Sequence, residues 1–550
     1  MESLHLLIKS KTQNDDNFQF HWRCKELGIV NLCFADDLLL FCKADIYSVT
    51  VLHGILQEFK ETAGLHANAQ KSQILFSKAA VQVQNQIQLI LGFPQGTFPV
   101  RYLGVPLITS KLSLADCTPL ILKIDARIAG WNQLKLTYAG RTQLIKSVLS
   151  SIHQYWCSVF ILPKGVIKTI EAKLRNFLWK GGSERGGYKV AWEQVCKPTS
   201  HGGLGIRNIQ MMNNALMGKY LWQVLTKKQD SIWVSWILKY KLKDGTLWAA
   251  NDKAGSWTWK KLLKLRPHII KGIQYRVGTG TDFKLWLDPW HPDGALLHRY
   301  PHGPLITGLP VDAPLSTVII GGTWQWPSEH HIDINGIITN LPDIHNGAND
   351  TIIWNSRSGI YSTEAAYTVF SNPSSAVEWA PLFYGPFHTP RHKFILWLSI
   401  LQRLSTLDKP WCTSTDQGCV LCNGGQPETH NHLFFGCSYT KEILYILGRK
   451  IRFHWPYTDW KMGIKWASKR WRGSHLWNAA YRSLLAAVIY YTWKERNNRI
   501  FQGTSTSAEG VAKIIIDHMR SRILIEDIRP SIQLFTLYRL WRIAWDQIPR

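Results

Sequence analysis

The sequence predicts an α+β protein of several domains, and three observations predict it. The chain has 550 residues, 45% hydrophobic and only 19% charged, enough to bury cores in three or more domains of roughly 100–200 residues each. Its first hundred residues alternate short apolar runs with turn residues, whereas the stretch from about 115 to 182 changes to a helical period. Close to residue 420, three cysteines and a histidine stand at metal-ligand spacing. The same composition excludes other classes. It is too apolar for a disordered basic tail, and ten cysteines are too sparse for a disulfide scaffold. The longest apolar runs, Phe394–Leu401 and Leu484–Tyr491, are about half of what a membrane-spanning helix needs. The start MESLHLLIKSK lacks the layout of a secretory signal, so no membrane partner is expected. Lys and Arg number 64 against 38 Asp and Glu, a net charge of +26 that attracts polyanions. The 27 tryptophans are read as mostly buried, since an aromatic of that size contributes most in a core.

In chain order, Gly28–Phe34 and Leu38–Cys42 read as strands on either side of Ala35-Asp36-Asp37. Asp45 is placed to cap a helix carrying Val51, Leu52, Ile55, Leu56 and Phe59, and Gly64 to stop it. Lys71–Ser77 reads as a further strand, and Tyr102–Leu107 as another, ended by its proline. Then Leu144, Ile145, Val148, Leu149, Ile152, Tyr155 and Trp156 form one helical face, broken by Pro163. Val166, Ile167, Ile170, Leu174, Phe177 and Leu178 form a second, stopped by Gly181-Gly182. The polar faces of these helices carry Arg141, Lys146, Lys173 and Arg175 with few acids between them, a bias that suits a phosphate-facing surface. Residues 190–290 are mixed and Trp-rich, and 290–322 is dense enough in Pro and Gly to read as a linker. Asp350–Phe370 reads as a strand pair and a helix, Lys393–Leu404 as a Trp-bearing helix, and 440–550 as helical and basic. Between Lys441 and Arg499 stand 13 Lys and Arg against Glu442, Asp459 and Glu495.

Two constellations carry chemistry. Adjacent carboxylates at a hairpin tip repel each other, and a divalent cation relieves the repulsion, so Asp36 and Asp37 fit a Mg²⁺ site for phosphoryl transfer; taken alone, such a pair is more often a solvated turn. Cys419-x2-Cys422 places two thiolates around one ion, and a histidine and Cys437 return after a polar turn to complete a tetrahedron for Zn²⁺. Spacing leaves His430 and His432 both open as the fourth ligand. Cys412 fits less well. Gly278-Thr279-Gly280 lacks the third glycine of a dinucleotide loop, no P-loop is present, and His330-His331-x-Asp333 reads as a solvated loop; no small-molecule cofactor is expected.

The run LCFADDLLLFCKAD, then Ala63-Gly64-Leu65-His66-Ala67-Asn68-Ala69-Gln70-Lys71-Ser72, then Tyr102-Leu103-Gly104-Val105-Pro106-Leu107, resembles the palm of LINE-type (non-LTR) retrotransposon reverse transcriptases, plant branch most closely. The resemblance continues through Ala139-Gly140-Arg141, Tyr155-Trp156 and Phe177-Leu178-Trp179 in a thumb, and through Trp286, Asp288 and Trp290. It extends to a reverse-transcriptase zinc-binding domain (Glu428-Thr429-x2-His432-Leu433-Phe434-x2-Cys437) and to a terminal helix with Glu495-Arg496-Asn497-x-Arg499. It implies that His432, not His430, is the ligand beside Cys419, Cys422 and Cys437. It implies Mg²⁺ at Asp36 and Asp37, RNA and DNA as partners, and a nuclear location. Lys71, Arg141, Lys146, Lys173 and Arg175 are the expected nucleic-acid contacts.

The implied organisation is a partial palm over 1–112, a helical thumb over 113–189, and a Trp-rich middle over 190–344. A zinc-binding domain then spans 345–440, and a basic helical region 441–550. By the same resemblance, a polymerase needs a third aspartate upstream of the pair; only Asp15 and Asp16 precede it, in no strand-like context. The expectation is therefore a retroelement product that begins too late in the palm for a complete two-metal site and binds nucleic acid without polymerising alone. The alternative is an RNA-directed DNA polymerase subunit completed by a separate chain.

Overall fold

Asn31–Phe34 and Asp37–Leu40 pair as an antiparallel hairpin in the register Phe34↔Asp37. Ala35, at the first position of the two-residue turn, takes the positive φ (50°) that matches the strand twist. Asp45 caps the helix Ile46–Ala63 by accepting the Ser48 N–H at 2.9 Å. Leu52, Ile55 and Phe59 of that helix close a core with Leu4, Ile8, Phe18 and Val30. Lys71–Ser77 does not form a strand. The Asn68 carboxamide and carbonyl draw the N–H groups of Gln70, Lys71 and Ser72 into a turn, leaving a single bridge from Ile74 to Gln95. Tyr102–Leu107 is a hairpin rather than one strand: Val100–Tyr102 pairs with Val105–Leu107 across Leu103 and Gly104, both at positive φ. Pro106 lies opposite Arg101, one pair beyond the turn, where N–H groups face away from the partner strand; its missing donor costs no ladder bond.

The computed structural model describes all residues except 78–80, 133, 182–186, 229, 244, 328–335, 372–374, 411–416 and 544–550. Cys412 and His330-His331-x-Asp333 thus lie outside the described residues. The chain forms two compact units whose segments interleave: 1–117, 158–163 and 214–370 in the first; 118–157, 164–213 and 371–550 in the second.

A second core in the first unit is built around Leu285, Trp286, Leu296, Leu315, Val318 and Ile337. The Pro- and Gly-rich stretch 290–322, expected as a linker, is packed into it: Trp290, Leu296 and Leu315 are buried. Gly303 lies so close beneath the Trp286 ring that a Cβ would sit 2.4 Å from it, so glycine here makes contact rather than slack. The strand Thr351–Trp354 also departs from expectation. It pairs not with the following residues, which turn so that Trp354 N–H reaches Gly359 O at 2.8 Å, but with distant Ile273–Arg276. Gly278-Thr279-Gly280 wraps a carboxylate of the protein itself: Asp350 accepts the N–H groups of Gly278, Gly280 and Asp282 at 2.8–2.9 Å. Asp288 accepts from Lys284 N–H at 2.8 Å and from the Thr246 hydroxyl, and the Trp290 indole donates to Leu285 O; these residues are structural.

The second unit is mainly helical. Tyr138–Leu144 runs through a π-type turn, Ile145–Leu149, into Ser150–Val159; Lys164–Trp179 follows. The expected second face is buried at every position, Val166 to Leu178. On the first helix the π-type turn inserts a residue, so beyond it His153, Trp156 and Cys157 are buried while Tyr155 is exposed. Among the described residues five helices, Ser438–Ile451, Trp460–Arg470, Leu476–Gln502, Ala508–Ile525 and Ile532–Trp541, build the C-terminal part. Leu476–Gln502 is its central element, buried continuously over 482–489 and packed against Pro390–Ile400 and Ala508–Ile525. Among the described tryptophans only Trp22 is exposed. No described helix is long and apolar enough to cross a membrane.

Candidate metal centre

Cys419 and Cys422 sit on a tight loop whose ends are joined by backbone bonds, Cys419 N–H to Gln426 O at 2.9 Å and Glu428 N–H to Gln417 O at 2.7 Å. Asn423 (φ 48°) and Gly425 (φ 67°) turn it. His432 opens a second π-type turn, His432–Gly436, which closes with Cys437 N–H on His432 O at 2.6 Å. That wide turn explains the four-residue gap between the last two ligands: it returns Cys437 to the side of the chain that His432 faces. Cys437 then stands at the N-terminus of Ser438–Ile451.

The four ligand atoms all lie within 4.8 Å of one another. Cys419 Sγ is 3.9 Å from Cys437 Sγ, and Cys422 Sγ is 3.4 Å from His432 Nε2. A zinc tetrahedron with Zn–S near 2.3 Å and Zn–N near 2.05 Å has edges of about 3.8 and 3.5 Å. The arrangement fits that ion. The contact between the two sulfurs pushes the Cys419 thiol up and holds Cys437 below its ordinary value. The Tyr439 and Thr440 N–H groups add to the stabilisation of a Cys437 thiolate, and those of Leu421 and Cys422 face Cys419. Burial lowers His432, which favours the neutral imidazole that a metal ligand must be. His430 is no rival. It is buried, hydrogen-bonded to Ser399 Oγ at 2.9 Å and packed on Trp460 and Phe434, and its pKa falls to about 4 through burial.

Behind the loop stand residues to which sequence reasoning gave no role. Arg499 donates through Nη1 to the carbonyls of Val420 and Leu421 at 3.1 and 3.0 Å. Those carbonyls belong to the two peptide units whose N–H groups face Cys419, so one guanidinium fixes both peptide planes. Arg496 grips the fully buried Glu428 through Nε and Nη2, the shortest bond 2.7 Å, and Glu428 also accepts the Leu407 N–H. Glu495 holds Arg499 at 2.9 Å and accepts the Thr506 N–H. The available signal was the pair Glu495/Arg499, four apart on a helix otherwise apolar enough to be buried.

The other singled-out residues are dispersed. Asp36 and Asp37 are both exposed at the hairpin tip, and among the described residues no third carboxylate joins them in a metal-sized cluster. Lys71 is exposed in the first unit, on the turn that Asn68 organises. Arg141, Lys146, Lys173 and Arg175 belong to the second unit. Lys173 is paired with Asp125 at 2.8 Å, Arg175 lies over the Tyr188 ring, Arg141 donates to Leu178 O at 3.3 Å, and Lys146 is exposed.

Residues 361–443 match the protein family described as zinc-binding in reverse transcriptase. The chain is 26% identical over 439 residues to a putative ribonuclease H protein of Arabidopsis thaliana, covering 75% of this chain and 68% of that protein. It is 25% identical over 141 residues to an uncharacterized mitochondrial protein of the same plant, covering 25% of this chain and 92% of that protein. The family match encloses all four ligands of the Cys₃His cluster, and with these similarities it makes the chain a reverse-transcriptase-related protein.

Proposed function

We propose that this chain is a LINE-type retroelement protein of the plant branch that holds Zn²⁺ on Cys419, Cys422, His432 and Cys437 and binds RNA or DNA through its basic helical segments and zinc knuckle. The convergence of four ligand atoms within 4.8 Å, inside the reverse-transcriptase zinc-binding match, carries this reading. The net charge of +26 supports the nucleic-acid part, because a polyanion releases its counterions on meeting such a surface. Metal analysis and oligonucleotide binding on the purified chain test the two parts. One zinc per chain, lost in Cys422→Ser, together with salt-dependent binding of RNA or DNA, is the expected result; zinc content unchanged by that substitution counts against the site.

Polymerisation by this chain alone is not part of the proposal. The aspartate pair has no third carboxylate beside it among the described residues, and one metal held by two acids gives no in-line clamp on the attacking and leaving oxygens. Primer extension with Mg²⁺ or Mn²⁺ decides this: robust incorporation abolished by Asp36→Ala overturns it. The exposed hairpin tip favours a second reading, in which another chain completes the site and activity appears only on mixing.

A further inference from the structure

Within the second unit a cleft of about 580 Å³ opens between Tyr138–Leu144, the end of Lys164–Trp179, the start of Pro390–Ile400 and Tyr490 of the long helix. Its size lies in the range of sites for small organic ligands, about 300–1,000 Å³. Among the described residues four cations line it, Arg141, Lys180, Lys189 and Arg391, and no carboxylate does. Between them the walls are aromatic. Tyr138 stacks on Phe394 with centroids 5.3 Å apart, Trp179 packs beside both, and Arg391 lies over the Tyr490 ring. The Arg141 guanidinium rests where a side chain at Gly181 would stand: a Cβ there would be 2.1 Å from Cζ. Trp179 is 4% exposed, and its indole N–H has no hydrogen-bond partner among the described residues. Lys189 makes no ion pair among the described residues, and burial lowers its pKa. The described cations Arg141, Lys189 and Arg391, set around aromatic rings and a buried indole donor, call for an anionic ligand that also has a flat face.

We infer that this cleft receives an unpaired nucleotide of a single-stranded nucleic acid, its phosphate on the rim formed by Arg141, Lys189 and Arg391 and its base among the aromatic walls. The inference rests on the proposed nucleic-acid-binding function and gives it an address. Base stacking on aromatic rings tolerates any sequence, and each phosphate contact makes binding fall with salt.

The test uses the full zinc-loaded chain and a fluorescent single-stranded 12-mer, followed by anisotropy from 50 to 300 mM salt. Lys189→Gln/Arg391→Gln is compared with wild type and with Lys253→Gln/Lys513→Gln, an equal charge change at exposed positions elsewhere. The expected result is at least tenfold weaker binding by the first double variant alone, with a log–log salt slope shallower by about 1.4 for two lost single-strand phosphate contacts. Amine labelling of the wild-type protein gives an independent readout: the oligonucleotide protects Lys189. Wild-type affinity in the cleft variant, or Lys189 labelled equally with and without oligonucleotide, overturns the cleft while leaving nucleic-acid binding in place. Failure of the wild type to bind any strand overturns both. If uridine monophosphate displaces the 12-mer at the strand's own concentration, the ligand is a free nucleotide and the strand assignment falls.

Discussion

Arg496 and Glu428 form a buried ion pair in which the glutamate is fully enclosed and the arginine 3% exposed. Removing one partner of such a pair leaves an uncompensated charge, so Arg496→Ala is expected to destabilise the second unit by about 3–5 kcal/mol, read from denaturant unfolding. The double change Arg496→Met/Glu428→Met should recover much of that loss, since an apolar pair of similar volume carries no desolvation cost. A double variant as unstable as the single one would show that packing, not charge, is at stake. Arg499 acts differently. Its bonds to the carbonyls of Val420 and Leu421 orient the peptides facing Cys419, and groups that orient ligands in this way typically contribute 10- to 100-fold in metal affinity. Arg499→Ala is therefore expected to weaken zinc binding by about that factor in a chelator competition, while His430→Gln leaves it within about twofold. Equal loss in both variants would return His430 to the ligand set.

The π-type turn His432–Gly436 carries Phe435, which stacks on Trp455 at 4.3 Å and on Trp460 at 5.2 Å. A metal bound at the two ends of this turn would hold an aromatic stack in place as well as the start of Ser438–Ile451. Chelation is expected to shift the tryptophan emission and to lower the helical circular dichroism signal, both restored by adding Zn²⁺; spectra that superimpose with and without metal would show that the turn holds itself. The turn also shows a limit of periodicity. His432–Gly436 and Ile145–Leu149 each insert one residue into a helical path, and no change in apolar spacing announces the insertion. That is why Tyr155, on the expected apolar face, ends exposed and His153 ends buried.

Four histidines of the second unit are buried and neutral. Burial lowers His153 and His430 to about 4, His388 to about 3 and His392 to about 2, with cationic neighbours adding to the last three. A histidine whose folded pKa is depressed binds its proton in the unfolded chain first. Stability is therefore full above the unfolded value of about 6.5 and falls as pH drops toward the folded pKa. Each such group contributes a slope of up to about 1.4 kcal/mol per pH unit in that window. The chain should lose stability steeply between pH 6 and 4, and His388→Leu should flatten the dependence by about one such slope. An unchanged slope in the variant would mean that His388 titrates alike in both states.

Sequence by itself determined whatever depends on near neighbours. Caps and breakers located Ile46–Ala63 and Lys164–Trp179, periodicity found the buried face from Val166 to Leu178, and Cys-x2-Cys marked the knuckle; resemblance then chose His432, whose ring lies beside the three thiols. These features are legible because the residues that cause them lie within a turn or two of one another. Tertiary structure alone decided the rest. Strand Thr351–Trp354 passed over its own neighbours for Ile273–Arg276, and Asp350 reached back to fill the glycine turn at 278–280. A Pro- and Gly-rich stretch packed against Trp286 because the surrounding core had room for it. Arg496 and Arg499, at the end of a helix that periodicity does find, meet partners 68 to 79 residues upstream. Which distant carbonyl or carboxylate a guanidinium meets depends on how helices pack, and that packing is a sum of many weak apolar contacts that no short window of sequence contains.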